Sequence, residues 1–204
     1  MRAVRLYATV VALIGVTACA DNGTKPPPPP GVGQLTLVFT PTAPQATGLT
    51  LTSATVHLEG VSVIGDLAPD PRTMLGETGV DMLGAAQPHV FDMAPQGLYS
   101  RVHFRLEESS FQGSYNGTPI QALIEYEMSI DLRDPVGQEV FPGHDAVFTL
   151  SFEGTAWFGN LLSQTVPASG KLTIDSLTNN TTIAMQIAQN VAAAISLRTA
   201  PGPS

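Results

Sequence analysis

Apolar and polar residues alternate with a period of two through most of the chain beyond residue 34. In the clearest stretch, Val102 to Leu106, every second residue is apolar and polar side chains lie between them. This is the pattern of a β-strand with one buried face and one solvated face. The same pattern predicts further strands at Leu35–Phe39, Ala54–Leu58, Val90–Phe91, Met128–Leu132, Ala146–Phe152 and Leu172–Ile174.

Turn signals separate these stretches. Asn116-Gly117 favours a type I′ turn because both residues accept a positive φ, and we expect it to join Ser110–Tyr115 to Thr118–Tyr126 in a hairpin. Since strand follows strand through short turns, the sequence predicts an all-β fold, mainly an antiparallel β-sandwich, over residues 34–198. Three further breaks are expected: a bulge or bend at Gly60, a loop over residues 66–79 and a strand end at Asp134-Pro135.

One segment near the C-terminus has a helical pattern instead. Residues 181–196 carry apolar side chains at helical spacing, and Asn180 is a suitable N-cap. A strand stays open as an alternative, because apolar residues also alternate over 183–187. The apolar face of the predicted helix comprises Ile183, Ile187, Val191 and Ala194 or Ile195.

Composition agrees with one β-rich domain. The 204 residues are 43% hydrophobic and only 13% charged, with 19 glycines and 17 prolines, which is a balance typical of turn-rich β proteins. The net charge of −8 becomes −10 without residues 1–18, which carry Arg2 and Arg5. Because the remaining basic residues are few and widely spaced, nucleic acid is excluded as a partner.

The first 18 residues have the features of a targeting segment. Arg2 and Arg5 precede an apolar run, Leu6 to Ala18, that is too short to span a bilayer. The run ends in Val16-Thr17-Ala18-Cys19, which resembles the lipobox of the bacterial lipoprotein signal. This resemblance implies cleavage before Cys19, lipid on its thiol and a place in the cell envelope. With Ala20 after the cysteine, it favours the outer membrane over the inner one.

The alternative is an ordinary secretory signal. In that case Cys19 would be a lone thiol or be removed, because it is the only cysteine of the chain.

A proline-rich linker follows the predicted anchor. Residues 19–33 contain five consecutive prolines, Pro26 to Pro30, which favour an extended polyproline II stalk. A ligand for a proline-binding domain is the alternative. At the other end of the domain, residues 199–204 are expected to be a disordered tail.

Two motifs resemble a family of bacterial lipoprotein domains of unknown function. The first is Val56-His57-Leu58-Glu59-Gly60-Val61, and the second is the turn Pro95-Gln96-Gly97-Leu98-Tyr99 that leads into the strand Val102–Leu106. The resemblance covers about half the chain, from Ala54 to Phe158. It implies a transthyretin-like or carbohydrate-binding-like β-sandwich and transfers no catalytic residue.

Catalytic motifs are absent from the sequence. The four histidines form no close metal-binding pair, and there is no G-x-S-x-G motif. His144 and Asp145 could serve as the base and the orienting carboxylate of a hydrolase. Adjacent residues on a turn, however, rarely form the hydrogen bond that a catalytic triad requires. An acid pair for glycosidic cleavage could lie among the carboxylates Glu107-Glu108, Glu125 and Glu127, and Asp131 and Asp134. We therefore expect no catalytic residues and no cofactor.

Two sets of residues remain as weak ligand candidates. One set of carboxylates surrounds a single predicted loop and could bind Ca²⁺ through oxygen ligands, although the spacing of a calcium loop is missing. One set of aromatic rings could stack on a sugar, with burial in the core as the alternative. The carboxylates are Asp131, Asp134, Glu139 and Asp145, and the rings are Tyr99, Tyr115, Tyr126 and Trp157.

The sequence thus predicts a membrane-anchored envelope lipoprotein with a non-enzymatic binding or structural module. Its partners would be the membrane, through the lipid, and a surface protein or glycan. An envelope hydrolase acting on glycan or peptide is the alternative function.

Replacing Cys19 tests the anchor. In a bacterial host the native chain should gain the mass of acyl chains and stay with membranes, and Cys19→Ser should lose both properties, because two or more acyl chains are needed for stable retention. Intact mass and membrane partition measure this. A soluble, unmodified native product would contradict the prediction.

Overall fold

The computed structural model of the protein describes residues 31–65, 71–165, 167 and 170–199. The predicted signal peptide, Cys19, the polyproline run and residues 200–204 lie outside the described residues. The described chain includes two short 3₁₀ turns, Gly154–Ala156 and Leu161–Gln164. The regular elements are β1 (Val32–Thr42), β2 (Leu49–Gly65), β3 (Arg72–Asp81), β4 (Gln87–Pro95), β5 (Gly97–Tyr115), β6 (Thr118–Val140), β7 (Asp145–Glu153), β8 (Leu172–Asp175), α1 (Thr181–Ala193) and β9 (Ile195–Thr199).

These strands form two sheets. The four-stranded sheet has the order β4-β1-β7-β9, and the five-stranded sheet has the order β3-β2-β5-β6-β8. Neighbouring strands are antiparallel except for the β1–β7 and β6–β8 pairs. The prediction of an all-β, mainly antiparallel fold with one C-terminal helix is therefore confirmed.

The apolar rows of the two sheets share one core. Leu35, Leu37 and Phe39 of β1 are fully buried, as are Phe104 of β5 and Phe148 of β7. The rings of Phe39 and Phe152 meet edge to face, with their centroids 5.9 Å apart. The period-two pattern in the sequence marked the inward residues correctly, because successive side chains of a strand point to opposite faces.

Bulges adjust the long strands of the five-stranded sheet. Gly60 has a φ of 62° and is the extra residue where the pairing of β2 with β3 and with β5 shifts, so the predicted bulge is confirmed. A second bulge lies at Glu107, where Leu58 pairs with Leu106 but the preceding His57 pairs with Glu108. This second bulge reverses the alternation of β5. The buried residues are Val102, Phe104 and Leu106 before it, and Ser109 and Phe111 after it.

The strands are longer than the sequence pattern indicated. The hairpin at Asn116-Gly117 is confirmed, with φ values of 49° and 79°, but the strands on both sides run on as β5 and β6. Part of the predicted loop over 66–79 is strand β3, which begins at Arg72. These segments extend because a neighbouring strand supplies backbone partners that local composition does not reveal.

Asp134-Pro135 does not end its strand. The pairing of β6 with β5 skips from Arg133 to Gln138, so the residues between them form a bulged turn. Within it Asp134 Oδ1 accepts a hydrogen bond from the Val136 amide at 3.0 Å, and Gly137 has a positive φ of 73°. The turn signal was real, but pairing resumes beyond it.

The C-terminal helix is confirmed over a shorter range. It ends at Ala193, and residues 195–199 pair with β7 as strand β9, so the predicted helix over 194–196 and the predicted tail at residue 199 were wrong. Asn180 lies at the N-cap with a left-handed φ of 53° but makes no side-chain cap bond. Its amide instead donates to the Thr173 carbonyl at 2.7 Å. The free edge of β7 provides the hydrogen-bonding partners that end the helix in favour of a strand.

The two ends of the sandwich are distinct. The entry end comprises residues 31–33, 95–97 and 140–144. There the main-chain N–H of Gln96 donates to the Gly31 carbonyl at 2.8 Å. The far end comprises residues 43–48, 115–118 and 154–164. There the main-chain N–H of Asn116 donates to the Gly48 carbonyl at 2.9 Å. The 11 residues of β1 connect the ends, and at about 3.3 Å per residue they separate them by roughly 36 Å.

Helix α1 packs beside the edge strands of both sheets. Its buried residues include Ala184, Ile187 and Val191, and the Asn190 amide donates to the Trp157 carbonyl at 2.9 Å. Within the part of the chain that the structure describes, no helix has the length and apolar character needed to cross a membrane.

Truncating the buried face of α1 should destabilise the protein. Ile187 is 0% exposed and Met185 is 61% exposed. We expect Ile187→Ala to lower the free energy of unfolding by about 2–5 kcal/mol through lost burial and cavity formation, and the control Met185→Ala to change it by about 0.5 kcal/mol or less. Chemical denaturation measures both, and equal effects would contradict this packing.

Candidate functional site

The outer face of the five-stranded sheet carries an acidic cleft of about 570 Å³. Three of its residues form a row across the sheet, because His57 lies opposite Glu108 and Glu108 lies opposite Glu125. Directly opposed residues point to the same face of a sheet. The complete lining is His57, Glu77, Glu107, Glu108, Glu125, Tyr126 and Glu127.

The bulge in β5 builds this cleft. In a regular strand Glu107 and Glu108 would point to opposite faces. Because the alternation of β5 reverses between Leu106 and Ser109, which are both buried, the two glutamates share the outer face and both line the cleft. Re-aiming a side chain in this way is a common effect of β-bulges.

Two of the carboxylates, Glu107 and Glu108, have a basic residue close by. His57 Nε2 lies 3.6 Å from Glu108 Oε1. Arg105 donates to Glu107 Oε1 at 3.2 Å and forms an ion pair with Glu59. The pKa of Arg105 is raised, mainly by the charge of Glu59 and further by Glu107.

The remaining acids of the cleft, Glu77, Glu125 and Glu127, have side chains without an ion pair or hydrogen bond among the described residues. Across the part of the chain that the structure describes, no group of three or more acids, histidines or cysteines could hold a metal ion. The cleft therefore concentrates negative charge and repels anions. Sequence analysis had singled out Glu107, Glu108, Glu125 and Glu127 but had no signal for Glu77 or for the bulge.

The four predicted calcium ligands do not form a common site. Asp131 lies opposite His103, with its Oδ2 3.6 Å from Arg101 Nη1, and Asp134 belongs to the bulged turn of β6. Glu139 pairs with Leu98, and Asp145 pairs with Gln34 on the other sheet. Clustering along the sequence was misleading because three of these residues are spread along β6, whereas Asp145 begins β7 in the other sheet.

Two of the predicted ligand-binding rings belong to the core. Tyr99 and Trp157 are 0% and 1% exposed, so neither offers a ring face to a ligand. The Tyr99 hydroxyl donates to the Pro95 carbonyl at 2.9 Å, and burial raises the pKa of Tyr99 to about 12. The phenol therefore stays protonated and keeps this bond at neutral pH. These two candidates are reassigned to structural roles.

The other two tyrosines are half-buried and differ in their partners. The Tyr126 hydroxyl is hydrogen-bonded to the Ser109 hydroxyl, and burial raises the pKa of Tyr126. Tyr115, the last residue of β5, instead borders a second pocket. Its hydroxyl makes no hydrogen bond to any described residue.

This second pocket, the far-end pocket, has a volume of about 230 Å³. It lies where the loop between β1 and β2, the end of β5 and residues 159–163 meet. Its lining carries no carboxylate, imidazole, ammonium or guanidinium group. The lining residues are Ala46, Thr47, Tyr115, Gly159, Asn160, Leu162 and Ser163.

The walls of the far-end pocket are held from beneath. Leu162 is buried, and Phe158 packs edge to face on Phe111 with the centroids 5.0 Å apart. On the rim, the Ser163 hydroxyl donates to the main-chain carbonyl of Asn160 at 2.6 Å. The segment that carries Asn160 and Ser163 is thereby fixed to the core.

The pair His144-Asp145 is not arranged as a catalytic pair. The His144 ring stacks on Phe141 with centroids 4.6 Å apart and planes 5° from parallel. Among the described residues it makes no hydrogen bond to a carboxylate or a hydroxyl. A hydrolase based on His144 lacks the hydrogen-bonded geometry that such chemistry requires.

Searches against protein-family models, curated proteins and solved structures give no match for this chain. The resemblance to bacterial lipoprotein domains therefore stays a prediction from its motifs, and the site is interpreted from its own geometry.

Removing one charge from the acidic row should stabilise the fold. Glu125 lies directly opposite Glu108, and opposed like charges on a sheet are destabilising by roughly 0.2–1 kcal/mol. Glu125→Gln should raise the free energy of unfolding by about this amount at low salt and by less as salt screens the repulsion. Denaturant unfolding at two salt concentrations measures the effect.

Glu139→Gln is the matched control, because Glu139 is exposed on the same strand and lies opposite Leu98. An equal gain in both variants would contradict repulsion across the row.

Proposed function

We propose that this protein is a lipid-anchored, non-enzymatic binding module of the cell envelope, with its binding surface at the far end of the sandwich. The observation that carries the proposal is the position of the far-end pocket. It lies at the end of the domain opposite to Gly31, where the predicted stalk joins the sandwich.

The chain upstream of the domain supports display of this end. The lipobox sequence predicts an anchor at Cys19, and the five prolines of residues 26–30 are expected to form a spacer. At about 3.1 Å per residue this run alone would extend roughly 15 Å. Together with the length of β1, the spacer would hold the far end well away from a membrane surface.

The chemistry of the far-end pocket supports binding over catalysis. Its lining offers hydroxyl, amide and aromatic groups, which orient a ligand by hydrogen bonds and apolar contact. It contains no carboxylate or imidazole to serve as a general base near neutral pH. Sites that bind without reaction need only such complementarity.

An envelope hydrolase is the second candidate. The observation in its favour is the opposed pair Glu108 and Glu125 in the acidic cleft, since paired carboxylates cleave glycosidic bonds when suitably spaced. Release of reducing sugars or peptides from envelope material by the native protein, lost in Glu125→Gln, would favour this candidate.

Co-sedimentation with envelope fragments tests the proposed function. The soluble Cys19→Ser chain should pellet with fragments of the host envelope, and the pair Thr47→Glu and Asn160→Glu should reduce the pelleted fraction at least about fivefold, because charge is introduced into a neutral pocket. Both side chains are exposed, so the fold should tolerate the changes.

The control adds the same two charges at the entry side of the molecule, through Gln96→Glu and Val136→Glu, which are also exposed. This variant should pellet like the parent chain. Equal losses in both variants, or no loss in either, would contradict a binding surface at the far end.

A further inference from the structure

The far-end pocket is neutral and selects against charged ligands. A bound charge would lose part of its hydration and meet no opposite charge among the lining side chains. The acidic cleft on the five-stranded sheet adds a negative potential to the molecule as a whole. A neutral polar ligand is therefore the class that fits this pocket.

Polar side chains around the pocket have unused hydrogen-bonding capacity. Three side-chain groups make no hydrogen bond to a described residue: the Tyr115 hydroxyl, the Thr47 hydroxyl and the Asn160 side-chain amide. The Ser163 hydroxyl donates to the Asn160 carbonyl and keeps its acceptor lone pairs. These groups supply both donors and acceptors, which is what a ligand rich in hydroxyl groups requires.

Two of the lining residues add apolar surface to the pocket. Leu162 is buried, and Tyr115 is half-buried and packs against the core. An aromatic ring attracts the polarised C–H bonds of a saccharide through the negative charge on its face. A sugar ring matches the pocket because its C–H groups lie on one face and its hydroxyl groups lie around the edge.

Size limits the ligand to one ring. The volume of about 230 Å³ is below the roughly 300 Å³ at which pockets for drug-sized ligands begin. A single residue at the end or on a branch of a glycan would enter, and the rest of the chain would remain in solvent.

We propose that the far-end pocket binds one neutral saccharide ring. The sugar places its C–H face on Tyr115 and its hydroxyl groups against Thr47, Asn160 and Ser163. This inference rests on the proposed function, since it names the ligand class of the same surface. Anchored on a stalk, the module would attach its membrane to a neutral glycan.

Chemical-shift titration tests the ligand class. The ¹⁵N-labelled Cys19→Ser chain is titrated separately with glucose, galactose, mannose and N-acetylglucosamine. We expect at least one of them to shift the amides of residues 46–47 and 159–163, with an affinity on the order of millimolar because one ring makes few contacts. The chemical shifts of main-chain amides at the entry end should not change.

Substitutions at Tyr115 separate stacking from hydrogen bonding. Tyr115→Leu should weaken the sugar affinity by up to about tenfold through loss of the aromatic face, and Tyr115→Phe should retain most of it. Tyr126→Phe is the control, because the Tyr126 hydroxyl is already bonded to Ser109. If Tyr115→Leu melts too low to be titrated, Asn160→Ala at an exposed position should show at least a threefold loss.

The possible outcomes separate the two proposals. If far-end charges abolish envelope binding but none of the four sugars shifts the far-end amides, the ligand class is overturned and the binding module stands. Shifts caused by a short peptide or an anionic sugar in place of neutral sugars lead to the same conclusion. If envelope binding does not depend on the far end, the proposed function fails whatever the titration shows.

Discussion

Burial of the facing apolar rows of the two sheets is the interaction on which the rest of the molecule depends. The only cysteine is Cys19, outside the sandwich, so no disulfide supports the domain. Each fully buried large apolar side chain, such as Phe39, Phe104 or Phe148, contributes about 1.5–3 kcal/mol through removal from water. Burial in the core must therefore offset the conformational entropy that the chain loses on folding.

Keeping the apolar side chains of the long strands inside requires interruptions of the regular pairing. After the bulge at Gly60, Val61 and Val63 continue the buried row of β2, and after the bulge at Glu107, Ser109 and Phe111 continue that of β5. The same shift leaves Glu107 and Glu108 together on the solvated face. The acidic cleft is thus a direct consequence of how the core is filled, and its opposed charges give it a cost in stability.

The far end has a different origin. Three separate stretches of chain meet there, and buried side chains such as Phe158 and Leu162 hold the last of them in place. Fixing the segment before a ligand arrives reduces the entropy lost on binding. A neutral pocket at the end opposite to Gly31 fits the proposed module, which would present its ligand site away from the membrane.

The sequence by itself determined the fold class, the inward residues of most strands, the hairpin at Asn116-Gly117 and the bulge at Gly60, because these follow from period-two patterning and from the φ preferences of single residues. It did not determine strand ends, the formation of strand β9 by residues 195–199, or which tyrosines are fully buried. Only the tertiary structure decided those features and brought Thr47, Tyr115 and Asn160 to one pocket. The physical reason is that strand pairing and burial depend on partners distant in the chain, whereas alternation and turn preference are local.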